Sequence, residues 1–165
     1  MHIVLDLIHR KADFDRSVGG NHATLTVTSQ ALLETLWPDD RLPYAHVLLA
    51  KSSGDGNIPH HVLGMALYHL RYSSFACRPS IWLDDLYLLP TARVRGVGMV
   101  IQLLHELARV GREHQCTHIG WTAHANNARG LAFYQRLGAS LTEQCGDTCY
   151  FQWKPKMLVE RPVAS

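Results

Sequence analysis

Apolar residues recur at helical spacing from the start of the chain. Ile3, Val4, Leu7, Ile8 and Ala12 predict a helix over residues 1–16, with Phe14 and Asp15 near its end. The run S-V-G-G-N at 17–21 stops it. Residues 24–28 are β-branched and extended. Thr28 or Ser29 can cap a second helix carrying Leu32, Leu33 and Leu36, which Pro38-Asp39-Asp40 ends. The pattern then changes period. A-H-V-L-L-A at 45–50 predicts a buried strand, 52–57 a turn-rich loop, and 62–72 a second strand pairing with the first as an antiparallel hairpin. Gly64 inside it marks a bulge or a close backbone approach. Residues 73–79 connect to a third strand over 81–89, just before Pro90.

The second half alternates helices and strands. From Gly98 to 112, Val100, Ile101, Leu103, Leu104, Leu107, Ala108 and Val110 give a long helix a broad apolar face for packing on a sheet, and Gly111 weakens its end. A strand over 117–123 follows. Asn126-Asn127 can cap a short helix over 128–137, with Gly138 as its C-cap. Residues 149–154 predict the last strand and 155–165 a tail. This order predicts an α/β fold: a mixed, mostly antiparallel central sheet flanked by helices. With no repeats and no long linker, it predicts a single domain over 1–165.

Composition narrows the partners. At 165 residues and 47% hydrophobic, the chain can bury a real core. Its formal charge of +2, with basic residues scattered, argues for no nucleic-acid partner. Eleven histidines add positive charge only as pH falls toward about 6. Cys77, Cys116, Cys145 and Cys149 form no C-x-x-C pair, and no histidine sits at zinc-finger spacing from them. Free thiols in a reducing cytosol, and no metal, are expected. No apolar stretch reaches the ~18 residues of a membrane span. Asp6 interrupts the first apolar stretch, which makes it a poor signal peptide. The expectation is a soluble cytoplasmic protein with no membrane partner.

Two stretches carry candidate chemistry. Arg93, Val94, Arg95, Gly96, Val97 and Gly98 follow a strand and lead into the long helix, in which Met99 comes next. The two glycines let backbone N–H groups turn toward one anion, the helix adds its positive dipole end, and the arginines suit a diphosphate. The spacing is neither a Walker loop nor a G-x-G-x-x-G turn, so a purely structural turn is an equal reading. Asp84 and Asp85 lie inside an apolar strand, where alternation predicts one acid on each face. A carboxylate there is costly unless paired or solvated in a cleft. It could hold a cationic amine or take its proton through water. The alternative is a structural acid paired with Arg or Lys.

With Pro90 upstream, the loop resembles motif A, Arg/Gln-x-x-Gly-x-Gly/Ala, of the GNAT acyl-CoA N-acetyltransferases, whose backbone amides grip the coenzyme A pyrophosphate. The run N-A-R-G-L-A-F-Y-Q-R-L-G-A from Asn127 is similar to motif B, with Tyr134 seven residues after Asn127. Seven residues is about two helical turns, which sets both on one helix face. By this resemblance Tyr134 donates a proton to the departing thiolate, being protonated at pH 7 with an ordinary pKa of about 10. The bland alternative is a core tyrosine and a capping asparagine.

The blocks V-L-G-M-A-L-Y-H-L-R-Y and I-W-L-D-D-L-Y-L resemble the diamine acetyltransferase branch, which includes the spermidine/spermine and thialysine N-acetyltransferases. Asp84-Asp85 stand at its Glu-Asp pair. L-I-H-R-K-A-D-F-D is similar to its first helix, Leu-Ile-x-x-Leu-Ala-x-Tyr-Glu, with Phe14-Asp15 at the aromatic–acid pair that contacts the amine. The resemblance covers about residues 5–153. It departs from the branch in lacking the first strand, in Asp84 for Glu, and in Asn126 for a Trp.

The resemblance implies direct acetyl transfer from acetyl-CoA to a primary amine, such as a polyamine, a thialysine-like amino acid or another small amine. The implied coenzyme contacts are Arg93, Val94, Arg95, Gly96, Val97, Gly98, Met99, Asn127 and Gly130, with Leu86, Tyr87 and Leu88 offering a strand N–H to the thioester carbonyl. Tyr134 is the implied acid. Asp84 and Asp85 receive the amine and its proton, joined in binding by Phe14 and Asp15. A homodimer is implied too. A protein or peptide N-acetyltransferase and a non-catalytic acyl-CoA sensor are the alternatives. The positioned phenol speaks against the sensor.

Overall fold

In the computed structural model, which describes residues 2–20, 24–52, 61–93 and 97–159, the chain runs α1 (His2–Ser17), α2 (Ser29–Leu36), β1 (His46–Lys51), β2 (Val62–Ser73), β3 (Arg78–Leu88), α3 (Pro90–Arg93), α4 (Val97–Glu113), β4 (Ile119–His124), α5 (Ala128–Leu137), β5 (Ser140–Cys145), β6 (Thr148–Trp153) and α6 (Lys156–Val159). The strands form one six-stranded sheet in the order β1-β2-β3-β4-β6-β5. Among the described strands only the β3–β4 pair is parallel, and the crossover that returns the chain in the same direction runs through α4. The expected mixed, mostly antiparallel sheet is what forms.

The sheet buries both faces. On one, Ala66, Tyr68, Ile81 and Leu83 pack with Leu103, Leu104, Leu107 and Ala108 of α4. On the other, Met65 and Tyr87 pack with Val4 and Leu7 of α1 and Leu32 and Leu36 of α2. Thr28 caps α2, its hydroxyl accepting the Ala31 N–H at 3.1 Å. Two apolar positions of the expected stripes miss the core. Leu33 and Ile3 are 44% and 41% exposed, because each helix rests on one sheet face and buries a narrower stripe than its apolar count suggests.

Several boundaries move. β3 starts at Arg78, three residues before the expected Ile81, and Pro79 sits in the ladder opposite Tyr72. A β5 strand that sequence reading omitted forms the outer edge beside β6. All its residues are exposed, so no apolar alternation announces it. Residues 156–159 of the expected tail form α6, and Leu158 is buried in the main core. α4 runs through Gly111 to Glu113, one residue beyond the expected 112. A Cβ at Gly111 would stand 3.1 Å from Leu158 and 3.2 Å from Ile81, so this glycine lets α4 pack closely on the sheet and on α6.

Gly64 satisfies both of its expected readings. The register shifts between Ala50 and Lys51, directly opposite it. A Cβ at Gly64 would stand 2.3 Å from the Tyr87 carbonyl oxygen and 2.3 Å from a Leu88 methyl. Leu89 donates its N–H to Leu63 O at 2.8 Å, which makes Gly64–Leu88 a non-hydrogen-bonded pair, the closer-spaced kind. Gly64→Ala must therefore shift backbone, and is expected to lower stability by about 1–3 kcal/mol. Urea denaturation measures it, and an unchanged midpoint would mean that β3 yields freely.

Candidate active site

β3 and β4 pair only at Ile81–Ile119 and Trp82–Gly120. Gly120 lets the Trp82 ring lie over this last rung, since a Cβ there would meet the ring at 3.2 Å. Beyond it the strands part. A β-bulge in β3 helps to part them. Leu67 faces Asp85 and Tyr68 faces Leu83, which leaves Asp84 as the extra residue.

The bulge also corrects the expectation that Asp84 and Asp85 face opposite sides. Ahead of it, Ile81 and Leu83 point into the α4-side core. After it, Leu86 and Leu88 do so, and Tyr87 points to the α1 side. The alternation has slipped by one residue at Asp84, so both acids open into the same cleft on the α1 side. The same slip sets the backbone phase. Ile81 N–H reaches across to His118 O at 3.0 Å, while Leu89 N–H points back to β2. Between these fixed points, the Leu86 amide turns toward the gap and the Tyr87 amide toward β2.

Two clefts occupy the gap. The first, of about 340 Å³, is bounded by Asp84, Asp85 and Leu86 of β3, Lys11 and Asp15 of α1, and Thr122 and His124 of β4. The second, of about 400 Å³, is more apolar and runs along Leu86, Tyr87 and Leu88 to Val100, Gly130 and Phe133. Phe14, Val18, Leu86, Asn127 and Tyr134 border both. A ligand reaching from one cleft to the other passes Tyr134.

The acids are not bare. Lys11 Nζ is 2.5 Å from Asp15 Oδ2 and 3.5 Å from Asp85 Oδ1. Asp84 Oδ2 is 2.8 Å from His69 Nδ1. Burial pushes the Asp85 carboxyl above its ordinary pKa. Lys11 opposes this, while Asp15 and Asp84 add to it. Sequence reading missed Lys11 and His69. The Lys11–Asp15 spacing of four on one helix was the available signal for the first.

Tyr134 is held by rings, with centroids 5.0 Å from Trp121, 5.2 Å from Phe151 and 5.6 Å from Phe133. Burial, and secondarily Asp15, push its hydroxyl pKa up to about 12, so it is protonated at neutral pH. Beneath it the Trp121 indole N–H is buried and makes no hydrogen bond among the described residues. Asn127 is the N-cap of α5, its Oδ1 accepting the Gly130 N–H at 3.1 Å. A Cβ at Gly130 would stand 2.5 Å from the Asn127 amide nitrogen, so Gly130 gives the cap its room. Gly138 ends the helix with a left-handed φ of 83°.

The glycine loop is only partly in view. Val94, Arg95 and Gly96 lie outside the described residues, as do the side chains of Arg93 and Val97. α3 forms a helical turn where a loop was expected directly after Pro90. Gly98 is exposed in the first turn of α4, and a Cβ there would meet nothing within 4 Å. Met99 packs against the main core. Cys116 is buried, which pushes its thiol up to about 11, far from a nucleophilic thiolate. Among the described residues, no cluster of metal-ligating side chains is present, and no helix is long and apolar enough to cross a membrane.

The chain has known relatives. Thialysine N-epsilon-acetyltransferase of Bos taurus is 31% identical over 111 residues, which are 66% of this chain and 64% of that protein. The alignment thus spans just under two thirds of the relative's length. An integron cassette protein from the mobile metagenome of V. cholerae superposes with a TM-score of 0.57 at 25% identity, covering 94% of this chain and 88% of that one. Arabidopsis thaliana NAA60, solved in complex with acetyl-CoA, superposes with a TM-score of 0.60 at 15% identity over 92% of this chain and 94% of its own, a likeness of fold. The sequence profile of the Acetyltransferase (GNAT) family matches residues 20–139. That match takes in both walls of the gap, from the turn after α1 to the end of α5, and the chain belongs to the GNAT family of acetyltransferases.

Proposed function

We propose that this protein transfers an acetyl group from acetyl-CoA directly to the primary amine of a small cationic acceptor. The observation that carries this reading is the meeting of an acidic cleft and an apolar cleft at one buried phenol. The apolar cleft fits an extended, weakly polar arm entering past Val100 and Phe133. The acidic cleft fits an ammonium. Acetyl-CoA supplies the activated acyl group as a thioester, and the 31% identical thialysine acetyltransferase favours an amine as acceptor.

Each residue then has a defined task. Asp84, Asp85 and Asp15 attract the acceptor's ammonium. The raised Asp85 carboxylate takes up the amine's proton, through water. The Leu86 amide donates to the thioester carbonyl, where a fixed donor is worth about 2.7–4 kcal/mol at the transition state. As the amine nitrogen bonds to the carbonyl carbon and the carbon–sulfur bond breaks, Tyr134 gives its proton to the sulfur. Phe14, at the border of both clefts, keeps water from the reacting atoms. Arg93, Arg95, Gly96 and Gly98 hold the diphosphate.

The test is an amine panel with acetyl-CoA, read by mass spectrometry for acetylated product. Acetylated small amines are expected. Coenzyme binding with no small amine acetylated would transfer the reading to a peptide acceptor or to a binding protein.

A further inference from the structure

The acidic cleft already contains a cation. Lys11 projects from α1 between two carboxylates, 2.5 Å from Asp15 and 3.5 Å from Asp85. Its side chain is 18% exposed, against 31% and 23% for its partners, so water screens this trio only in part. The third acid, Asp84, has its own partner in His69 at 2.8 Å. Every carboxylate in the cleft therefore has a protein partner before any acceptor arrives. Lys11 also stands where the first-helix motif quoted above has leucine, which carries no charge.

We propose that Lys11 is a built-in counter-ion that fills one ammonium position of the acceptor cleft, and so restricts the enzyme to amines of low charge. This rests on the amine-acetylating reading of the same cleft. Three carboxylates without a lysine would favour a polyamine, whose several ammonium groups could each meet an acid. With Lys11 in place, an acceptor carrying three positive charges brings more cation than the cleft can pair. The last charge is then either left in solvent or set against Lys11, at a like-charge cost. An amine of net charge one, such as a thialysine-like amino acid, meets no such excess. The class of acceptor follows: small amines and amino acids with a terminal amine, in preference to extended polycations.

Lys11→Met removes the charge and keeps a flexible chain of similar reach. Asp15 and Asp85 then face each other without a cation, and an acceptor's second ammonium is the natural replacement. The experiment measures kcat and KM for thialysine, a diaminoalkane and spermidine, with the wild-type chain, Lys11→Met and Lys11→Arg. Melting temperature and acetyl-CoA affinity serve as fold controls. The wild-type protein is expected to prefer thialysine. Lys11→Met is expected to raise the spermidine-to-thialysine ratio of kcat/KM by about tenfold, through KM. Lys11→Arg, which keeps the charge, should keep the wild-type ranking. A merely structural lysine would lower activity on all three amines alike, and that result overturns the proposal. So does a wild-type preference for spermidine, which needs no variant to detect. If acetyl-CoA binds but the wild-type chain acetylates no amine, the underlying reading fails, and this inference with it.

Discussion

Tyr134→Phe is expected to cut kcat by about 100-fold or more while leaving acetyl-CoA affinity within about twofold. The substitution removes one oxygen and keeps the ring. Trp121 and Phe151, with centroids 5.0 and 5.2 Å away, hold that ring by faces and edges that phenylalanine retains. The apolar cleft therefore keeps its shape, and binding is spared. What disappears is the proton for the departing sulfur. The tyrosine is suited to that role because its pKa, pushed up to about 12, keeps the proton in place through the neutral range. The sign follows for pH dependence: burial favours the neutral phenol, so any loss of activity below about pH 10 belongs to another group. Steady-state kinetics beside calorimetric titration of acetyl-CoA separate the two quantities. A kcat within a few-fold of wild type would take Tyr134 out of the acid role.

The sequence disclosed the parts of this site that depend on local chemistry. Asn127 and Gly138 mark the ends of α5 because capping is decided within four residues, and those bounds were read correctly. Gly64 was legible as a close approach, though its partner was not. The geometry of the acid pair was not legible. Alternation is a property of one strand, whereas a bulge is a property of two, visible only when Leu67 and Tyr68 are set against Asp85 and Leu83. β5 escaped for a different reason. With every side chain exposed, it owes its strand state to pairing with β6 rather than to burial. Lys11 resembles an ordinary helix-surface lysine until the fold brings Asp85 to within 3.5 Å of it.

Asp85→Asn removes both an ammonium contact and the proton acceptor, and is expected to raise KM for a cationic acceptor by about 10- to 100-fold and to lower kcat with it, whereas Asp84→Asn should raise KM by less than about tenfold. Exposure sets the order. The Asp85 side chain is 23% exposed and that of Asp84 39%, so water weakens the grip of Asp84 more. Stability should move the other way. The Asp85 carboxyl titrates above its ordinary 3.8, so the cost of burying its charge outweighs the attraction of Lys11. A carboxyl raised in the folded state contributes full stability below its unfolded pKa and loses it as pH rises through the folded value. At pH 7 the ionised Asp85 is thus a net burden on the fold, and asparagine relieves it. Lys11 keeps its shorter contact with Asp15, so no cation is orphaned. The variant should melt at or above the wild-type temperature while binding acceptor poorly, a combination that unfolding does not produce. Acceptor affinity in the wild-type chain should fade as pH drops through the raised Asp85 value, at a higher pH than an ordinary aspartate would give. That acid limb should be absent from Asp85→Asn. A kcat and KM within a few-fold of wild type on cationic amines would instead make Asp85 a structural partner of Lys11.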